Sequence, residues 1–183
     1  MFTERQEKYA RTLAFLSKLL IAGAVFHLIL FIYPDTYSLQ SALARQVNAL
    51  LSWTGLDFHR RGIYLISDTA KYYITQDCLG WKSMSMYTAL VFASSTRFRK
   101  HLKELFTGLI VIYIANLVRV TSTIYLSYKG VISFEVIHGF LWKWGLTAVV
   151  MILWMAWYRK LEEEEDSRIY IYLEKLLSKL QSE

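Results

Sequence analysis

Four long apolar runs constrain the fold more than any other feature of this sequence. They cover residues 13–33, 79–95, 105–128 and 140–158. A helix rises about 1.5 Å per residue, so about 20 apolar residues cross the ~30 Å hydrocarbon core of a bilayer. The 17-residue run at 79–95 is near the lower limit and needs help from its flanks. The runs therefore predict an all-α membrane protein with about four transmembrane helices.

The distribution of basic residues predicts how these helices are oriented. Twelve Lys and Arg residues fall into three groups, near the N-terminus, at 97–103 and after 158, whereas five lie in the alternate segments. Cytoplasmic segments carry the excess of Lys and Arg. We therefore expect a multi-pass protein of the cell membrane with both termini in the cytoplasm and with 34–77 and 129–138 outside. The net charge of +6 then reflects topology, and no nucleic-acid partner is expected.

Two more elements are predicted in the outer segment 34–77. Pro34 ends the first helix, and apolar residues then recur at helical spacing over 39–51. This spacing is typical of an amphipathic helix on the outer surface. Side chains alternate within 62–76, which predicts a short β-hairpin just before Cys78.

The chain divides into one domain and a tail. We assign residues 1–158 to a single membrane-embedded catalytic domain. In residues 159–183, apolar residues recur at helical spacing from 169 to 180. That pattern predicts a cytoplasmic amphipathic helix at the C-terminus.

Cys78 is the only cysteine, and it lies where a polar segment meets the second apolar run. A lone cysteine in an apolar protein is usually inert packing. On a continuous helix, however, Lys82 and Ser85 share its face, four and seven residues further on. A cation one turn away and a helix N-terminus favour the thiolate, whereas the adjacent Asp77 opposes it. Cys78 is therefore a candidate nucleophile, with Lys82 and Ser85 as supporting residues.

Arg119 lies in the outer half of the third run, where a guanidinium is costly. The cost is ~3 kcal/mol at the bilayer centre and falls toward the interface. Snorkelling to the outer headgroups is one explanation. Asn116 and Thr123 share the helix face of Arg119, however, and a polar stripe of this kind faces a partner or a wet cavity. A permanently charged guanidinium there is suited to hold an oxyanion or a thiolate.

His138 precedes the fourth run on the predicted outer side. Alone it would be an ordinary interfacial histidine, but near a thiol it becomes the natural proton carrier. The predicted topology brings Cys78, Arg119 and His138 to one interface, which indicates nucleophilic chemistry at the membrane surface. The sequence has no spaced Cys/His/carboxylate cluster and no Gly-rich phosphate loop, so we expect neither a metal nor a cofactor.

The segments around these three residues resemble the exosortase/archaeosortase family of membrane cysteine transpeptidases. The family pattern is a Cys-x-Gly at a helix start, an Asn-x-x-Arg in the next helix and a His, or in some members an Arg, before a later helix. The matching segments here are Cys78-Leu79-Gly80, Asn116-Leu117-Val118-Arg119 and Ile137-His138-Gly139. Their order and separations agree over roughly residues 48–158.

The resemblance implies that Cys78 is the nucleophile, Arg119 the essential cation and His138 the general acid/base. The implied substrate is a secreted protein whose C-terminal sorting signal contains a recognition motif, a transmembrane helix and a basic cytoplasmic tail. The enzyme would cut near the outer face through a thioester on Cys78. The acyl group would pass to an amine or hydroxyl, such as a lipid headgroup, so that membrane lipid is both the environment and a possible acceptor.

Many members of the family have more membrane helices, so this chain looks like a minimal core. It also departs from the family pattern at two positions. Leu79 stands where Ser or Thr is commoner, and Gly139 stands where Asp often follows the His. If that Asp orients the imidazole in relatives, Glu135 or a backbone carbonyl takes its place here.

Two other functions are compatible with the same residues. A membrane cysteine endopeptidase would use them to release its product to water. A non-enzymatic four-helix membrane adaptor would instead pair Arg119 with an acidic residue of a partner.

Overall fold

The computed structural model describes residues 4–95, 98–131 and 144–161. The helices are α1 (Glu4–Ile32), α2 (Tyr37–Trp53), α3 (Trp81–Ser94), α4 (Leu102–Tyr128) and α5 (144–161). Between α2 and α3 lie three strands, β1 (His59–Arg61), β2 (Tyr64–Ile66) and β3 (Lys71–Tyr73). Short 3-10 helices precede α3 and α4, at Gln76–Leu79 and Phe98–His101. The described chain is mostly helical, as predicted.

Two described segments, Thr12–Ile32 and Phe98–Tyr128, are long and apolar enough to cross a membrane. α3 has 14 residues, which extend about 21 Å and fall short of the ~30 Å hydrocarbon core. Only the 144–158 part of the predicted fourth run is described, as α5. Two of the four predicted membrane helices are thus supported by length and composition. The described residues end at 161, so the predicted tail helix lies outside them.

α1 is joined to α3 by a charged residue within its apolar segment. The ammonium of Lys18 donates to the backbone carbonyl of Ser95, with an Nζ–O distance of 3.1 Å. Ser95 is the C-terminal cap of α3, where the unpaired carbonyls of the helix carry partial negative charge. The hydrogen bond gives this lysine a polar partner within a helix that is apolar enough to cross a membrane.

α3, α4 and α5 form the first core, which we call the helix-side cluster. Its buried residues are Tyr87, Leu90, Val91, Leu105, Ile112, Leu146, Val150 and Trp157. α3 and α4 pack closely where Gly108 faces Tyr87, since a Cβ at position 108 would overlap the Tyr87 ring. Gly108 therefore sets how closely these two helices pack.

The second core, the sheet-side cluster, lies between α2, the sheet and the second half of α4. Its buried residues are Leu43, Ala44, Val47, Leu51, Leu56, Phe58, Leu65, Ile74, Val120 and Ile124. The predicted helix at 39–51 forms within α2, but its apolar stripe packs on protein. Leu43 and Val47 are buried by the sheet and α4, whereas Leu39 is 62% exposed. The apolar stripe of α2 therefore packs on protein, and the expected position of this helix on the outer surface stays a prediction.

The strands form one antiparallel sheet in the order β1-β2-β3. The predicted hairpin is β2 and β3, with Tyr64 opposite Tyr73 and Leu65 opposite Tyr72. Leu65 is fully buried in the sheet-side cluster, while the Tyr64 and Tyr73 rings stack on the other face with centroids 5.4 Å apart. β1 was not predicted, so the description of the fold as all-α is corrected to helical with a small sheet.

Candidate active site

Cys78 lies in the 3-10 helix Gln76–Leu79, which connects the sheet to α3. Its backbone N–H donates to the carbonyl of Thr75 at 3.0 Å, and its Sγ lies 3.3 Å from the hydroxyl oxygen of Thr75. The side chain is half-buried at the border of the sheet-side cluster. The thiol is therefore held beside a hydroxyl group while part of its surface stays accessible.

Asn116 on α4 fixes the backbone at Cys78. The side chain of Asn116 is fully buried, and its Nδ2 donates to the carbonyl of Cys78 at 2.8 Å. Gly80 allows this contact, because a Cβ there would lie 2.8 Å from Cγ of Asn116. Gly80 also has φ +72°, a left-handed conformation that glycine adopts without steric cost. The turn that ends the Cys78 segment thus depends on Gly80 in two ways.

Arg119 lies three residues beyond Asn116 on α4, and it is half-buried. Its guanidinium is close enough to Cys78 and Asp77 to interact electrostatically with both. Thr123 is buried one turn further on, where its hydroxyl donates to the carbonyl of Arg119 at 2.8 Å. Asn116 of this polar stripe thus contacts the Cys78 segment, and Arg119 and Thr123 line the cavity beside it.

Cys78 and Arg119 open into a single cavity of about 400 Å³. One wall is α4, through Arg119, Val120, Thr123 and Ile124. The opposite wall is β3 and the two residues after it, over 71–75. A thiol and a guanidinium thus line one partly apolar space that is large enough for several residues of a peptide.

Comparison with known families identifies the group to which this chain belongs. The family described as Transmembrane exosortase (Exosortase_EpsH) matches residues 5–160, which is most of the chain. This chain is a member of the transmembrane exosortase family. No curated protein and no solved structure gave a match. Membership supports a membrane location and an enzyme of the cysteine transpeptidase or sorting class.

Two motifs that carry the resemblance contact each other in this exosortase. The Cys-x-Gly supplies Cys78 and Gly80, and the Asn-x-x-Arg supplies Asn116 and Arg119. Gly80 leaves the space that Asn116 occupies, and Asn116 binds the backbone of Cys78. Cys78 and Arg119, one from each motif, line the same cavity.

Lys82 and Ser85 do not join Cys78 in this site. The left-handed Gly80 separates the 3-10 helix from α3, so the expected face at spacings of four and seven residues does not form. Lys82 forms an ion pair with Asp77 at 2.7 Å, and both side chains are well exposed. Ser85 lines a different, apolar cavity between α1 and α3, together with Phe26. The structure therefore does not bring Lys82 or Ser85 into the cavity that Cys78 lines.

The predicted acid/base, His138, lies outside the described residues, as do Glu135 and Gly139. The assignment of His138 therefore stays a prediction.

Thr75 is part of the site, although sequence reasoning assigned it no role beside the thiol. Residues 71–75 form a whole wall of the cavity, and the Thr75 hydroxyl is next to the thiol. A polar Thr three residues before the cysteine was the available signal. It was not recognised because only helical spacing after Cys78 was considered.

Proposed function

We propose that this exosortase is a membrane cysteine transpeptidase that cleaves the C-terminal sorting signals of secreted proteins at the outer membrane face. The observation that carries this proposal is the shared cavity of Cys78 and Arg119, in a chain with two described helices that are long and apolar enough to cross a membrane. A thiol and a fixed cation beside one space are the minimum required to attack a carbonyl and to hold the resulting oxyanion.

The first half of the reaction forms a thioester. The Cys78 thiolate attacks the carbonyl carbon of the scissile peptide bond, and the carbonyl π electrons move to the oxygen. Arg119 donates hydrogen bonds to this oxyanion. When the intermediate collapses, the C–N bond breaks and the leaving amine takes a proton, which we assign to His138.

The second half transfers the acyl group. An amine or hydroxyl, such as that of a lipid headgroup, loses a proton to His138 and attacks the thioester carbon. The C–S bond then breaks and the Cys78 thiolate is regenerated. Attack by water in place of this acceptor would make the same enzyme an endopeptidase. A substrate anchored by its own membrane helix presents its scissile bond at a nearly fixed depth, which suits a site at the interface.

The first experiment follows the processing of a secreted protein from the same organism that carries such a signal. We expect Cys78→Ala to abolish processing while the protein stays folded and membrane-inserted. Ser85→Ala is the matched control, because Ser85 is on the neighbouring helix but outside the cavity, and it should process normally. Full processing by Cys78→Ala would remove the nucleophile from the proposal.

A second variant tests the role of the guanidinium. Arg119→Lys keeps the charge but loses the fork of donors, so we expect processing to slow by at least ~10²-fold, as when an oxyanion donor is lost. A wild-type rate would show that charge alone is sufficient.

Mass spectrometry of the product C-terminus separates the transpeptidase from the endopeptidase reaction. An added mass indicates transfer, and a free carboxylate indicates hydrolysis.

A further inference from the structure

The cavity is bordered by the edge of the sheet rather than by one of its faces. Five successive residues, 71–75, line it, although side chains alternate between the two faces of a strand. β3 is last in the order β1-β2-β3, and in the described part of the chain no strand pairs with its outer edge. An unpaired strand edge is a template for another extended segment.

The register identifies the backbone groups on this edge. Ser67 N–H donates to Ala70 O, and Ile74 N–H donates to Ile63 O. Hydrogen-bonded pairs alternate along an antiparallel ladder, so residues 70, 72 and 74 bond toward β2. The N–H and C=O groups of Lys71 and Tyr73 therefore point away from β2, toward the outer edge.

We infer that the outer edge of β3 binds the substrate as an added strand, with the Lys71 and Tyr73 backbone as its hydrogen-bonding partners. This inference rests on the proposed function and deepens it, because it names how the substrate is held. The ligand is an extended peptide segment whose scissile carbonyl reaches Cys78, just beyond the end of β3. Backbone pairing supplies affinity in this mode of recognition, and pockets for alternate side chains supply specificity.

The two faces of the added strand meet different surroundings. On one face, the Tyr73 ring stacks on Tyr64, and the ammonium of Lys71 lies 4.5 Å from the centroid of Tyr64. The other face of the peptide would turn toward Val120 and Ile124 on α4. The segment should therefore carry an apolar side chain at alternate positions, directed to α4.

Peptidyl chloromethyl ketones test this directly, since Cys78 is the only cysteine. Thiolate attack forms an S–C bond and releases chloride, and the reaction requires no turnover. The probes are acetyl-Ala-chloromethyl ketone and acetyl-Thr-Val-Thr-Ala-chloromethyl ketone, with chloroacetone as the peptide-free reference, applied to the full chain in lipid nanodiscs. We expect the longer probe to label Cys78 at least ~10-fold faster than the shorter one, relative to the chloroacetone rate.

N-methylation of single amides in the long probe then reads the register. Each N-methyl group removes one donor, so labelling should fall at alternate residues only, because alternate amides of a strand point to the same side. A loss at every position, or at none, would contradict strand pairing.

Tyr73→Pro removes the outward N–H without removing a bond to β2, and proline is tolerated on edge strands. Tyr73→Ala is the matched control, because it removes the same ring but keeps the N–H. With each rate divided by that variant's own chloroacetone rate, Tyr73→Pro should lose the advantage of the long probe, and Tyr73→Ala should keep most of it. Equal behaviour of the two variants, or no dependence on probe length, would overturn the inference.

The labelling results separate this inference from the proposed function. Length-dependent labelling without processing of any sorting signal would retain peptide binding at β3 and reject the transpeptidase. Processing that proceeds without length dependence or a register pattern would retain the enzyme and reject binding at β3. If neither chloroacetone nor the peptides label Cys78, cross-linking of the long peptide through a benzoylphenylalanine decides the binding site. Cross-links outside 71–75 and α4 would then reject it.

Discussion

Gly80 explains how the short Cys-x-Gly motif comes into contact with the Asn-x-x-Arg motif in the fold. A glycine two residues after a cysteine carries little information in a sequence. In the fold, Gly80 has a positive φ and lies against Asn116, which in turn binds the carbonyl of Cys78. The glycine therefore positions the nucleophile through the backbone.

Substituting Gly80 should consequently be more harmful than substituting another glycine of similar conformation. In Gly80→Ala, the left-handed backbone costs about 1–2 kcal/mol, and the new Cβ also displaces Asn116. Gly55→Ala is the control, because Gly55 has φ +79° and nothing within 4 Å of the added Cβ. Denaturant unfolding and the alkylation rate of Cys78 should both change more in Gly80→Ala. Equal changes in the two variants would show that the Asn116 side chain moves aside at no cost in free energy.

The 3-10 helix Gln76–Leu79 decides where the thiol points. Had α3 begun at Cys78, the thiol would share a face with Lys82 and Ser85. The left-handed turn at Gly80 separates the two elements, so Cys78 lines the cavity beside β3 and Ser85 lines another. The break between the elements, rather than helical periodicity, brings Cys78 and Arg119 together.

The packing of α3 on α4 gives a second prediction, for the elements that support the site. In Gly108→Ala the added methyl group overlaps the Tyr87 ring, so overpacking should lower the free energy of unfolding by about 1–3 kcal/mol. Gly23→Ala is the matched control in α1, because nothing lies within 4 Å of its added Cβ and alanine favours a helix. Thermal unfolding in detergent should show a lower midpoint for Gly108→Ala alone. An unchanged midpoint would mean that the helices separate at little cost.

The two cores divide the molecule, and the site lies where they meet. Along α4, Ile112 belongs to the helix-side cluster and Val120 to the sheet-side cluster. Asn116 and Arg119 lie between these two residues in the sequence. The sheet-side cluster is formed largely by the segment that the distribution of charges places outside the membrane. The cavity would accordingly open near the outer interface.

Labelling of intact cells tests this orientation. A membrane-impermeant maleimide should label Cys78 from outside, because the predicted topology puts the sheet-side cluster and the cavity on the outer side. In a Cys78→Ser background, Trp53→Cys should also be labelled, since Trp53 is 87% exposed on α2, whereas Lys103→Cys should not. Labelling of Cys78 only in inverted vesicles would contradict the predicted topology and indicate the opposite orientation.

Several features were predictable because they depend on local sequence. Hydrophobic periodicity indicated the helical segments, alternation indicated the hairpin, and the cost of a guanidinium in an apolar helix singled out Arg119. β1 was missed because its His59-Arg60-Arg61 sequence has no apolar alternation, and it forms a strand only by pairing with β2.

The sequence by itself therefore determined the helical segments of this protein, its family and the residues that carry its candidate chemistry. Only the tertiary structure decided that Cys78 turns away from Lys82 and Ser85 toward Arg119, with β3 as the opposite wall. The physical reason is that helix and strand periodicity is set by near neighbours along the chain. The approach of Asn116 to Gly80, and of the β3 edge to α4, is set by packing between residues that are distant in sequence.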